Sequence, residues 1–157
     1  AIAFQFYGLA LFCIICNRIM DGLDGALARL TKTSDGGAYL DIVLDFIFYA
    51  LVVVGFALAE PRRNALPAAL LLASFIGTGS SFLAFAIMAE RRGLKNISYP
   101  AKGFYYLGGL AEGTETLIVF VLCCLLPAQF PAVAYGFAVL CALTFLSRLI
   151  GGYRSLQ

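Results

Sequence analysis

Five apolar stretches, each about as long as a helix that crosses a bilayer, fill this chain almost from end to end. They run roughly from Ala1 to Met20, Gly37 to Ala59, Ala65 to Ala89, Phe104 to Leu126 and Pro131 to Ile150. The connections are short and hold the breakers and charges: Thr31 to Asp35, Glu60-Pro61-Arg62-Arg63-Asn64, Glu90 to Lys102, and Pro127 to Phe130. No soluble domain fits between them. With 62% hydrophobic and 13% charged residues, a chain of 157 residues cannot hide its apolar surface in one soluble core. The pattern predicts an all-α fold, a polytopic bundle of transmembrane helices, with residues 1–157 forming a single domain. Membrane lipids are expected partners, and nucleic acid is not.

The chain opens at Ala1 inside an apolar run, with no initiator Met, basic leader or small-residue cleavage pattern. We read it as a fragment with further sequence upstream. The five cysteines, Cys13, Cys16, Cys123, Cys124 and Cys141, all fall in apolar stretches and read as small hydrophobes. Cys13 and Cys16 form a C-x-x-C, but a zinc site needs four ligands, and the chain has neither a second such pair nor any histidine. In the third stretch, Ser74, Gly77 and Ser81 read as small-residue packing positions between helices.

Basic residues fall unevenly about these stretches. With the loop after the first stretch placed in the cytoplasm, that side holds Arg18, Arg29, Lys32, Arg91, Arg92, Lys95, Lys102, Arg148 and Arg154. Only Arg62 and Arg63 of the eleven Lys and Arg then lie opposite. This asymmetry predicts that the face lies in the cytoplasm, and the expected location is multi-pass in a bacterial inner membrane.

The same face carries an unusual concentration of acids. Asp21-Gly22-Leu23-Asp24-Gly25-Ala26-Leu27-Ala28-Arg29 is followed by Gly37, Asp41 and Asp45, at the margins of membrane-length segments where charge is costly and usually functional. On a helix, Asp21, Asp24 and Ala28 follow i, i+3, i+7, and Gly37, Asp41 and Asp45 follow i, i+4, i+8, so each set shares a face. A short loop joins the two helices, which should run antiparallel with their carboxylate pairs facing each other. Four unpaired anions so close repel unless positive charge sits between them. Hard divalent cations with oxygen ligands, Mg2+ or Mn2+, suit that place. Gly25 and Gly37 leave the helix surface bare for a nucleotide or phosphate to approach the backbone, and Ala28 keeps that face open a turn further on.

The pattern D-x-x-D-G-x-x-A-R, seven residues, then G-x-x-x-D-x-x-x-D, filled at every position from Asp21 to Asp45, resembles the signature of the CDP-alcohol phosphotransferase (CDP-alcohol phosphatidyltransferase) family, class I. The resemblance implies displacement of CMP from a CDP-linked donor, usually CDP-diacylglycerol, by an alcohol hydroxyl. It implies that Asp21, Asp24, Asp41 and Asp45 surround two metal ions and that Asp45 accepts the hydroxyl proton. Gly25, Ala28, Arg29, Ser34 and Gly37 would contact the nucleotide or its phosphates. Family members typically have six spans, with the motif at the end of the second, so five of six spans are expected here. The resemblance also suggests a homodimer.

The alcohol side of the reaction is less marked. Lys102 precedes the fourth stretch, and Glu112 and Glu115 lie a helical turn apart inside it, about 15 Å in by helical rise for Glu112. These three residues are the candidate acceptor contacts, in a cavity shared by all six acids. The other reading makes the two glutamates part of a wet turn broken by glycines. Acids and threonines in this stretch point to a polar alcohol. Two rival classes use membrane aspartates as well. A UbiA-type prenyltransferase would need two acidic motifs far apart, and a cation transporter has no use for the bare Gly25-x-x-Ala28-Arg29 face.

Overall fold

The computed structural model describes residues 1–30, 34–92 and 113–157, with side chains described for all of these except 24–30. A 3-10 turn at Ile2–Phe4, closed by Gln5 at φ 62°, leads into helix α1 (Tyr7–Leu30). The first stretch is therefore not one helix from Ala1 to Met20. The helix starts later and runs on through the acidic motif, because Gly22 and Gly25 each cost only about 1 kcal/mol in a helix interior and no proline intervenes. Asp21 and Asp24 thus sit on helix, as their spacing predicts.

Helix α2 (Asp35–Ala59) is capped by Ser34, whose Oγ accepts from the Gly37 N–H at 3.1 Å. That bond satisfies one of the amides every helix start leaves orphaned. Glu60 alone separates α2 from α3 (Pro61–Arg91). The expected loop from Glu60 to Asn64 is instead the first turn of α3, since Pro61 at a helix start loses no hydrogen bond. Asn64 Nδ2 donates to the Phe56 carbonyl at 2.8 Å and locks this corner. Helix α4 (Gly113–Leu125) is short, and a 3-10 turn at Pro127–Gln129 enters α5 (Phe130–Ser155). Arg63 donates to the Ala128 carbonyl across this end of the bundle.

Among the described residues there is no strand, and the protein is an all-α membrane helix bundle. Helices α2, α3 and α5 with its leading turn are long and apolar enough to cross a membrane. Five helices are present, of which these three meet that measure among the described residues. Helix α1 has the length but carries Arg18, Asp21, Asp24 and Arg29 from its midpoint on. For α4, residues 104–112 of the expected span lie outside the described residues.

Close packing is centred on α3, which lies against both α5 and α2. A Cβ on Gly77 would come within 2.9 Å of the Phe145 ring, and one on Gly79 within 2.5 Å of the Phe46 ring. Lipid tails are as apolar as leucine, so helices in a bilayer associate through such close contact. Gly77 thus packs as expected, and Ser74 is buried nearby. Gly79→Ala is expected to lower the thermal midpoint in detergent, overpacking of this kind costing about 1–3 kcal/mol. Because the obstacle is one ring, most of that loss should vanish when the substitution is made in a Phe46→Ala chain; an undiminished loss would place the strain elsewhere.

At the Glu60 end, Phe56 stacks between Tyr7 and Phe130 at centroid distances of 5.9 and 4.6 Å, tying α1, α2 and α5 together. All five cysteines are free, and Cys123, Cys124 and Cys141 are buried as small hydrophobes. The opposite end gathers the end of α1, the start of α2 and the ends of α3 and α5, where Arg92 donates to the Leu156 carbonyl. Arg91, Arg92 and Arg154 lie at that end. Two residues of the charge tally above face a neighbouring helix: Arg18 lies among the acids, and the Arg148 guanidinium is 5.7 Å from the Phe82 ring centre. Both arginines sit on helix faces turned towards a neighbouring helix, which a loop count overlooks.

Candidate active site

Arg18 joins the two acidic helices. Asp21 follows it by one turn of α1, while Asp41 and Asp45 lie on one stripe of α2. Arg18 Nη1 lies 3.4 Å from Asp21 Oδ2, and Nη2 donates to Asp45 Oδ1 at 2.9 Å. Nε and Nη2 also donate to Asn17 Oδ1, at 3.1 and 2.7 Å. The guanidinium lies 4.9 Å from the centre of the Phe48 ring and 6.0 Å from that of Tyr49. Asp41, one turn before Asp45 on the same stripe, lies near enough to Asp21 and Asp45 to feel the charge of both. Two acids from two helices, Asp21 and Asp45, therefore share one cation, which offsets the repulsion between them.

The backbone of α1 packs on α4 more closely than on α2. Between α1 and α2 this leaves a mainly apolar groove of about 450 Å³, lined by Ala10, Ile14 and Asn17 on one side and Phe48, Val52 and Gly55 on the other. Ile2 closes its far end. At the near end stand Asn17 and Phe48, the two residues that support Arg18.

The expected site residues divide accordingly. Asp21, Asp41 and Asp45 meet as expected. Asp24, Gly25, Ala28 and Arg29 are helical, but their side chains lie outside the described residues. Ser34 and Gly37 adjoin at the start of α2, where a Cβ on Gly37 would lie 3.1 Å from Ser34 Oγ. Both are exposed there, Ser34 through its cap. Glu115 occupies the exposed first turn of α4. That turn borders the acidic stripe, because a Cβ on Gly113 would sit 3.3 Å from the Tyr49 hydroxyl. Lys102 and Glu112 lie outside the described residues, and with them the expected cavity shared by six acids; of those acids, Asp21, Asp41 and Asp45 lie near one another.

Sequence reasoning missed Arg18, Asn17, Phe48 and Tyr49 as parts of this site. Tyr49 was within reach, since it extends the spacing of Gly37, Asp41 and Asp45 by four more residues. Arg18 stands three residues before Asp21, a helical neighbour, but had been assigned to topology.

Among the described residues no three potential ligands converge tightly enough to form a metal site unaided. The donor set still fits a hard divalent cation: Asp21, Asp41 and Asp45 offer only carboxylate oxygens, as Mg2+ or Mn2+ prefers. The point between Asp21 and Asp45 already holds positive charge in the form of a guanidinium.

Residues 2–147, and with them the whole segment from Asp21 to Asp45, match the family described as CDP-alcohol phosphatidyltransferase. The chain is also similar to the inner membrane protein YnjF of Escherichia coli (strain K12), at 54% identity over 156 residues, 99% of this chain and 76% of that protein. No solved structure matches it. Enzymes of the matched family are phosphotransferases that move a phosphate-linked group from a CDP-alcohol. A match running through nearly every helix, with acids of both helices meeting in space, leaves one conclusion: the chain belongs to the CDP-alcohol phosphatidyltransferase family.

Proposed function

We propose that the protein transfers a phosphatidyl group from CDP-diacylglycerol, or a similar CDP-linked lipid, to the hydroxyl of a polar alcohol, releasing CMP, in phospholipid biosynthesis. The observation that carries this reading is the junction of the acidic cluster with an apolar groove at Asn17 and Phe48. A donor with a charged pyrophosphate and fatty chains needs both, side by side.

In the proposed reaction the alcohol oxygen forms a bond to the lipid-side phosphorus, and the bond from that phosphorus to CMP breaks, CMP keeping the electron pair. Asp45, on the stripe facing the gap, takes the alcohol proton as general base. Asp21, Asp24, Asp41 and Asp45 would hold Mg2+ or Mn2+, as a pair of ions, which when bound neutralise pyrophosphate charge and favour the CMP leaving group. Gly25, Ala28 and Arg29 on α1, with Ser34 and Gly37 at the start of α2, would seat the nucleotide. Ser34 Oγ accepts from the Gly37 amide, so its own O–H is left to donate to a phosphate oxygen. Lys102, Glu112 and Glu115 are the proposed acceptor contacts. Arg91, Arg92 and Arg154 at the acidic end support a site open to the cytoplasm of an inner membrane. We further propose that the chain forms a single domain and assembles as a homodimer. Family membership leaves the prenyl-transfer and cation-transport readings without support.

The test is CMP release by the full chain in lipid nanodiscs with CDP-diacylglycerol and Mn2+, with a panel of polar alcohols. Alcohol-dependent CMP release is the expected result, and a new headgroup found by lipid mass spectrometry would name the acceptor. Silence with every CDP-linked donor would overturn the proposal.

A further inference from the structure

We propose that Arg18 is a built-in counter-cation of the site, competing with divalent metal for Asp21 and Asp45. The inference rests on the reading of those acids as metal ligands. Its own basis is how the guanidinium is held. Its two Nη atoms address carboxylates on different helices, at 3.4 Å on α1 and 2.9 Å on α2. Asn17 fixes the Nε edge, and the ring of Phe48 supports the flat face. The Arg18 side chain is 19% exposed, less than Asp21 at 38% or Asp45 at 31%, so it lies deeper than the acids it serves.

A rigid fork with prepaid orientation suits this place better than a lysine, whose ammonium is a mobile point charge. In this arrangement the guanidinium offsets repulsion among Asp21, Asp41 and Asp45 and keeps α1 and α2 together where their backbones approach little. A divalent ion taking the same carboxylate oxygens must first break charge-assisted hydrogen bonds. The displaced guanidinium remains beside the groove, on Asn17 and the aromatic faces, where the negative pyrophosphate of a donor would give it a new partner. Metal and donor should therefore bind with positive coupling through Arg18, and by linkage each raises the affinity of the other equally.

The experiment measures Mn2+ binding calorimetrically on the purified full chain, for wild type, Arg18→Gln, Arg18→Lys and Phe48→Leu, with and without CDP. Arg18→Gln should bind Mn2+ about tenfold more tightly than wild type, the scale set by losing a competing charged hydrogen bond. Phe48→Leu changes no charge yet loosens the guanidinium, and should tighten Mn2+ by about two- to fivefold. Arg18→Lys should fall between wild type and Arg18→Gln, and the enhancement of Mn2+ binding by CDP should shrink in Arg18→Gln. In chelator, Arg18→Gln should melt below wild type, with the gap closing as Mn2+ is added. Equal or weaker Mn2+ affinity in Arg18→Gln, or, if that chain does not fold, in Phe48→Leu, overturns the proposal while leaving the metal site standing. Absence of Mn2+ binding in wild type and every variant would instead overturn the metal reading and this inference with it.

Discussion

Asp45→Asn is expected to abolish alcohol-dependent CMP release, a loss of about 10²–10⁴-fold or more for removal of a general base, while binding of the CDP-linked donor stays measurable. The amide matches the carboxylate in shape, so α2 keeps its packing and its oxygen still accepts from Arg18. What it lacks is the capacity to take a proton. Asp21 and Asp41 keep their charges, so most of the proposed metal shell would survive. Turnover and donor binding should therefore separate, a pattern that a folding defect would not produce. Steady-state CMP release and calorimetric CDP binding on the same preparation make the comparison. Unimpaired turnover would refute the role of Asp45.

Much of this site could be read from the chain because helical spacing is geometry written directly in sequence. Asp41 and Asp45 share a stripe in the structure as their four-residue separation requires, and a short connection was enough to bring Asp21 opposite them. Helix ends were read less well. Breakers mark an end only when the backbone obeys them: the two glycines of the motif did not stop α1, and Pro61 started α3 rather than preceding it. The largest omission was Arg18. Counting charges per side treats every arginine as a loop residue, but two of them, Arg18 and Arg148, lie against rings of another helix. Which face of a helix meets its neighbour depends on the rotation of both. Small residues such as Gly79, which admits Phe46, decide that rotation through contacts distant in sequence.

Asp21→Asn and Asp24→Asn should weaken metal-dependent donor binding itself, not only the chemistry. Each removes one unit charge from the ligand set, and at contact distance in a partly buried site that is worth about 10²-fold or more in cation affinity. Mn2+ and CDP binding should fall together, with turnover following; normal binding of both by either mutant would refute the metal-ligand roles. Asp21 differs from Asp24 in a way that probes the arginine as well. In the proposed site it is both a ligand and an anchor of Arg18, so neutralising it weakens the hold of the competing guanidinium along with the ligand set, and the two effects partly cancel. In an Arg18→Gln chain only the ligand is lost. The fold-decrease in Mn2+ affinity on Asp21→Asn should therefore be larger in the Arg18→Gln background than in wild type, a non-additivity that a double-mutant cycle reads directly. Simple charge counting predicts equal decreases in the two backgrounds, so the sign and size of that coupling separate competition for a shared carboxylate from mere proximity of a positive charge.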